Sequence, residues 1–95
     1  MSHDPSEVAH NEKARRFEIR SDGQTAFLQY ELAKGSIALV HTEVPPALEG
    51  RGMGGALARA ALEHARTEHL PVLVSCPFVA AFVRKHPEYE PLLKK

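Results

Sequence analysis

The sequence predicts a mixed α/β domain of the α+β kind: an antiparallel meander of three strands, continued by a strand–helix–strand unit and a second helix, in the order β-β-β-α-β-α. Three observations predict it. Residues 16–44 alternate apolar and polar with period two, and the turn dipeptides Asp22-Gly23 and Lys34-Gly35 break that alternation twice. The glycine-rich residues 49–56 follow Pro45-Pro46 and open an alanine-rich segment with helical spacing. A short apolar run, residues 71–75, leads into Cys76-Pro77, and proline suits the first turn of a helix.

Taken in order, residues 1–14 are polar and aperiodic, which predicts a mobile tail whose two histidines, His3 and His10, are solvated. Residues 15–95 form the single domain. Phe17 and Ile19 oppose Arg16, Glu18 and Arg20 on a half-buried strand. After the Asp22-Gly23 turn, Ala26, Leu28, Tyr30 and Leu32 share the apolar face of the next. Residues 36–44 are apolar on both faces for much of their length, as a central strand requires. Pro45-Pro46 then ends the ladder. In the following helix, Met53, Ala56, Leu57, Ala60, Ala61 and His64 make one face, with Arg59, Glu63 and Arg66 on the exposed side. Residues 71–75 read as a buried strand. Phe78, Val79, Phe82 and Val83 form the apolar face of the second helix, which ends near His86-Pro87, and Tyr89, Leu92 and Leu93 are available to cover an edge.

A chain of 95 residues supports one modest core. Its 12 basic and 12 acidic residues balance, so the overall field favours neither nucleic acid nor a membrane surface as partner. No apolar run approaches the ~20 residues that span a bilayer, and the N-terminus lacks the features of a secretory signal, so a cytoplasmic location is expected. The single cysteine, Cys76, excludes an internal disulfide.

The strand–helix–strand crossover makes the strands ending at Glu43 and Ser75 parallel, so both finish at one end of the sheet, where both helices begin. The glycine stretch, His41, Glu43 and Cys76 are therefore expected to converge on one crevice. Glycines before a helix leave backbone N–H groups pointing outward beside the positive end of the helix dipole, and an anion is their natural ligand. For Cys76, the dipole alone supplies only ~0.3–1 kcal/mol toward the thiolate. A second group is needed, and His41 is the candidate; the alternative is a small buried residue closing a strand.

Gly50-x-Gly52-x-x-Gly55 also fits the dinucleotide fingerprint, but that motif expects an acidic residue at the end of the next strand, which here ends in Ser75-Cys76. No Lys-Ser or Lys-Thr follows the glycines, which excludes the Walker P-loop. The histidines lack metal-binding spacing, so no metal is expected. A purely structural glycine turn is the remaining alternative.

Residues 49–54, Glu-Gly-Arg-Gly-Met-Gly, resemble the acetyl-CoA pyrophosphate loop, Q/R-x-x-G-x-G/A, of the GNAT N-acetyltransferase superfamily. Together with residues 41–46, Cys76-Pro77-Phe78-Val79 and His86-Pro87-Glu88-Tyr89, they resemble its small stand-alone members. The resemblance implies a minimal GNAT fold, acetyl-CoA as cosubstrate and an amine, a protein lysine or a small amine, as acceptor. It implies that backbone from Arg51, Gly52, Met53, Gly54 and Gly55 holds the pyrophosphate, that Val44 pairs with the pantetheine arm, and that Cys76 is an acetyl acceptor. Glu49 replaces the usual Gln or Arg, and Val83 stands where the superfamily's general-acid Tyr is common. Catalytic roles are expected of Cys76, His41 and Glu43. Lys85 is the candidate for the 3′-phosphate of CoA, and Tyr89 is a substitute acid or a packing residue. A monomer or weak homodimer is expected, and a non-catalytic CoA- or acyl-CoA-binding module is the alternative function.

Overall fold

The period-two alternation becomes a five-stranded sheet in the computed structural model, which describes residues 8–94. Strands β1 (Ala9–Asn11), β2 (Arg16–Ser21), β3 (Gln24–Ala33), β4 (Ser36–Glu43) and β5 (Val72–Val74) lie side by side in chain order. The first four pair antiparallel, and β4 pairs with β5 in parallel, as the crossover through helix α1 (Met53–Thr67) requires. Helix α2 (Pro77–Lys85) follows β5. Asp22 and Gly23 both have positive φ, 53° and 75°, matching the tight turn whose twist suits a two-residue hairpin.

The mixed α/β order holds, with one strand more at the start. Ala9–Asn11, expected within a mobile tail, pairs with residues 16–18 at the sheet edge. Three residues are too few to display a period. What fixes them is His10, which stacks on Phe17 at 4.3 Å between ring centroids and shares a 2.6 Å hydrogen bond with the Tyr30 hydroxyl. The expectation that His10 is solvated is therefore corrected. Residues 1–7, His3 among them, lie outside the described residues.

Both helices cover the same face. Helix α1 lies across β2, β3 and β4, and the Phe78 and Phe82 rings of α2 reach Gly54 and Gly55 of α1. Phe17, Ile19, Ala26, Leu28, Tyr30, Ile37 and Leu39 of the sheet meet Leu57, Ala58, Ala61 and Leu62 of α1 in one core. Small alanines bring the helix close, and each fully buried Leu or Ile contributes about 1.5–3 kcal/mol. Leu32, expected on that face, is 51% exposed because it stands beside the Lys34-Gly35 turn at the end of the sheet. The opposite face of the sheet, with Phe27, Gln29, Glu31 and His41, carries no helix.

Two further features depart from or extend the expected pattern. Arg59 and Glu63, expected on the exposed side of α1, are half-buried, because they bind the buried Tyr89 hydroxyl at 2.9 and 2.7 Å. Tyr89 belongs to a 3₁₀ segment, Pro87–Leu92, after which Leu93 bridges Val72 and the Lys94 N–H donates to the Val72 carbonyl at 2.8 Å. The C-terminal residues thus cover the β5 edge, as expected.

A bulge in β4 sets up the site. Tyr30 lies opposite Leu39 and Gln29 opposite His41, so Val40 has no partner on β3. Alternation along β4 is inverted from there on. Thr42, opposite the core residue Leu28, turns toward the helices, while His41 and Glu43, opposite Gln29 and Phe27, turn to the open face.

Candidate active site

Beyond the bulge, β4 and β5 stop pairing. Their last contacts are Leu39 with Val74 and the Ser75 N–H donating to the Leu39 carbonyl at 3.0 Å. The gap leads to a cavity of about 540 Å³ lined by Thr42, Glu43, Val44, Leu48, Glu49, Gly50, Gly52, Met53, Gly54, Gly55 and Phe78. The backbone N–H and C=O of Val44, on its wall, make no backbone hydrogen bond among the described residues.

The glycine stretch curls over this cavity. Gly50 and Gly52 have φ of 83° and 76°, left-handed values that cost residues with a Cβ roughly 1–2 kcal/mol each. Gly52 caps α1 with its carbonyl, which accepts from the Ala56 N–H at 3.0 Å. Behind that bond, the N–H groups of Gly50, Arg51, Gly52, Met53, Gly54 and Gly55 donate to no other group among the described residues. A run of unpaired donors at a helix N-terminus beside a cavity is the arrangement that binds phosphate oxygens. The site therefore suits a phosphate-bearing ligand.

Cys76 caps α2 and is 5% exposed. Its Sγ lies 3.4 Å from Thr42 Oγ1. Burial pushes the thiol up, but hydrogen bonding from Thr42 and from the Val79 and Phe78 N–H groups outweighs it and holds Cys76 below the ordinary thiol value.

His41 is not its partner. His41 and Thr42 are neighbours on one strand and point to opposite faces, so His41, 58% exposed in its side chain, lies 3.3 Å from Glu43 and beside Phe27 instead. The expected convergence is thus correct for the sheet end and corrected for the face: Cys76 is bound by Thr42, while Glu43 reaches the cavity mouth from the far side with His41 attached. The Arg51 side chain turns away from the cavity to Asp22 in the β2–β3 turn, at 2.9 Å. Lys85 lies at the far end of α2, about 12 Å along the axis from Pro77 at ~1.5 Å per residue, and does not line the cavity. Tyr89 is 1% exposed and bound to Arg59 and Glu63, a packing residue remote from the cavity lining. Among the described residues no helix is long and apolar enough to cross a membrane, and no group of three or more His, Cys, Asp or Glu could hold a metal.

Two residues at the site escaped the sequence. Thr42 is hidden by the bulge. Phe78 was legible only as part of an apolar helix face, although two successive glycines inside the first turn of α1 are the signal that something large rests there.

The comparisons with known proteins agree with the fold. The family model described as GCN5-related N-acetyl-transferase matches residues 16–92. Protein NATD1 of Bos taurus is 40% identical over 86 residues, covering 87% of this chain and 76% of that protein. Protein NATD1 of Homo sapiens is 37% identical over 86 residues, with 87% and 76% covered. Among solved structures, the NMR structure of a GCN5-like protein from Staphylococcus aureus superposes with a TM-score of 0.73 at 30% identity, covering 93% of this chain and 87% of that one.

Proposed function

Since the chain belongs to the GCN5-related N-acetyltransferase family, whose members transfer acetyl groups from acetyl-CoA, we propose that it acetylates a primary amine, a protein lysine or a small amine, at the cavity between the glycine stretch and α2. The observation that carries this reading is the run of unpaired N–H donors from Gly50 to Gly55, in the stretch whose glycines line that cavity. Bound acetyl-CoA supplies an activated thioester. Backbone N–H groups of Arg51, Gly52, Met53, Gly54 and Gly55 hold the pyrophosphate, and the free backbone edge of Val44 runs beside the pantetheine arm. The Arg51 guanidinium has a different role, tying the glycine stretch to the β2–β3 turn through Asp22. Lys85 does not line the cavity and is the proposed contact of the 3′-phosphate of CoA; Lys85→Ala is expected to weaken CoA affinity, and unchanged affinity would remove that role.

An amine with the usual lysine pKa of about 10.4 must lose a proton before it attacks, which costs about 4.6 kcal/mol at pH 7. Glu43 is the base: it borders the cavity at its mouth, and its contact with His41 at 3.3 Å leads outward to solvent. His41 passes the proton on.

The lowered pKa of Cys76, which favours its thiolate, supports a second route. Its sulfur takes the acetyl group, the thiol proton leaves with the CoA sulfur, and the amine then receives the acetyl as the Cys76 thiol is restored. Intact mass after incubation with acetyl-CoA, in native protein and Cys76→Ala, decides between the routes. Gain of one acetyl group that the variant loses, together with loss of transfer, establishes the thiol route; undiminished transfer by the variant establishes direct attack. Absence of CoA binding in calorimetry would overturn the acetyltransferase site and leave the fold.

A further inference from the structure

The Cys76 thiol and the cavity are separated by one layer of side chains. Cys76 is 5% exposed and does not line the cavity, whereas Thr42, which touches its sulfur, and Phe78, two residues on, both do. Thr42 is fixed in β4. Phe78 is 45% exposed, and the tip of its ring is seated on Gly54, where an added Cβ would stand 2.6 Å from Cζ. Contact that close needs a residue without a side chain, so Gly54 is the socket for the ring. An exposed aromatic ring seated on a glycine turns by rotation about its own side-chain bonds, with no change in the fold.

We infer that Phe78 is the partition between the cavity and Cys76, seated on Gly54 when closed, and that it controls what the thiol can react with. This rests on the cavity reading above for its consequence in acetyl transfer. The partition itself is read without CoA. Removing the ring opens the thiol while leaving the Thr42 hydroxyl and the Phe78 and Val79 N–H groups that stabilise the thiolate.

The test is alkylation of Cys76 by iodoacetamide, in which the sulfur displaces iodide and the thiol proton goes to solvent, followed by mass spectrometry across pH. Phe78→Ala is expected to raise the plateau rate by roughly tenfold or more, since access and thiolate fraction together set thiol reactivity, with the midpoint of the pH profile unmoved. Phe78→Tyr, which restores the ring, is expected to return the native rate. Gly54→Ala, which pushes the ring off its seat, is expected to raise it as well. Circular dichroism and the rate in urea-unfolded protein confirm that these rates belong to the fold. A Phe78→Ala rate within about twofold of native, or an equal rise in Phe78→Tyr, would overturn the partition. If CoA fails to bind the native protein while Phe78→Ala still reacts faster, the partition stands and the cosubstrate reading falls.

Discussion

Tyr89 concentrates a whole polar network in a buried position. Its hydroxyl donates to Glu63 and accepts from Arg59, while burial, reinforced by the Glu63 hydrogen bond, raises its pKa, so it stays protonated. Tyr89→Phe leaves both partners without that bond and is expected to destabilise the protein by about 1–2 kcal/mol in urea titration with kcat and KM for acetyl transfer unchanged. Loss of activity in a folded Tyr89→Phe protein would restore Tyr89 as an acid. Gly52→Val is the converse case. It forces a β-branched residue to φ 76° beside the unpaired donors, and is expected to cost roughly 1–2 kcal/mol and to abolish CoA binding by calorimetry. The glycines, Glu43 and Cys76 were legible as residues because their types and spacing carry their chemistry. The Cys76 partner was not: choosing between His41 and Thr42 depends on one unmatched residue, Val40, and a bulge leaves no mark in the alternation of a strand that is apolar on both faces.

At the scale of elements, the short edge strand β1 is held by contacts of a titratable residue, His10. His10 on β1 faces Tyr30 of β3 and His64 of α1, at 4.7 Å between the histidine rings, with Glu12 and Arg15 in the connection to β2. Burial, and then the charge of His64, lower the His10 pKa, while Glu12 opposes them. The unfolded chain therefore binds more protons than the fold below the ordinary value near 6.5, and stability is present above that pH and lost as pH falls below it, toward the depressed folded value. The protection of the β1 amides, referred to the intrinsic exchange rate at each pH, is expected to fall between pH 7 and pH 5, and global stability to fall by at most about 1.4 kcal/mol per pH unit, one proton's worth. His10→Gln is expected to flatten that dependence; an unchanged slope would move its origin elsewhere. The meander, α1 and α2 were legible because each is long enough to repeat its period. A three-residue strand such as β1 is not, and what fixes it, the His10 contacts with Phe17, Tyr30 and His64, is made with other elements.

For the whole molecule, the parallel pairing of β4 and β5 followed from the helical crossover between them, which put the expected crevice at the end of the sheet where the cavity lies. The side on which the helices lie did not, since period and spacing leave that choice to tertiary packing. Ligand linkage offers a global check: at 100 times its dissociation constant, CoA is expected to stabilise the fold by about 2.7 kcal/mol in thermal or urea unfolding. The strap that Leu93 and Lys94 lay along Val72 has its own consequence. A sheet grows wherever an edge offers a free row of donors and acceptors. Among the described residues both margins, β1 and β5, are three residues long, and the chain's own return meets β5 at Val72, so neither edge offers much of a template for fibre growth. Lys94→Pro, which removes the N–H given to Val72, would open that margin to strands from neighbouring molecules, visible as concentration-dependent assembly by light scattering.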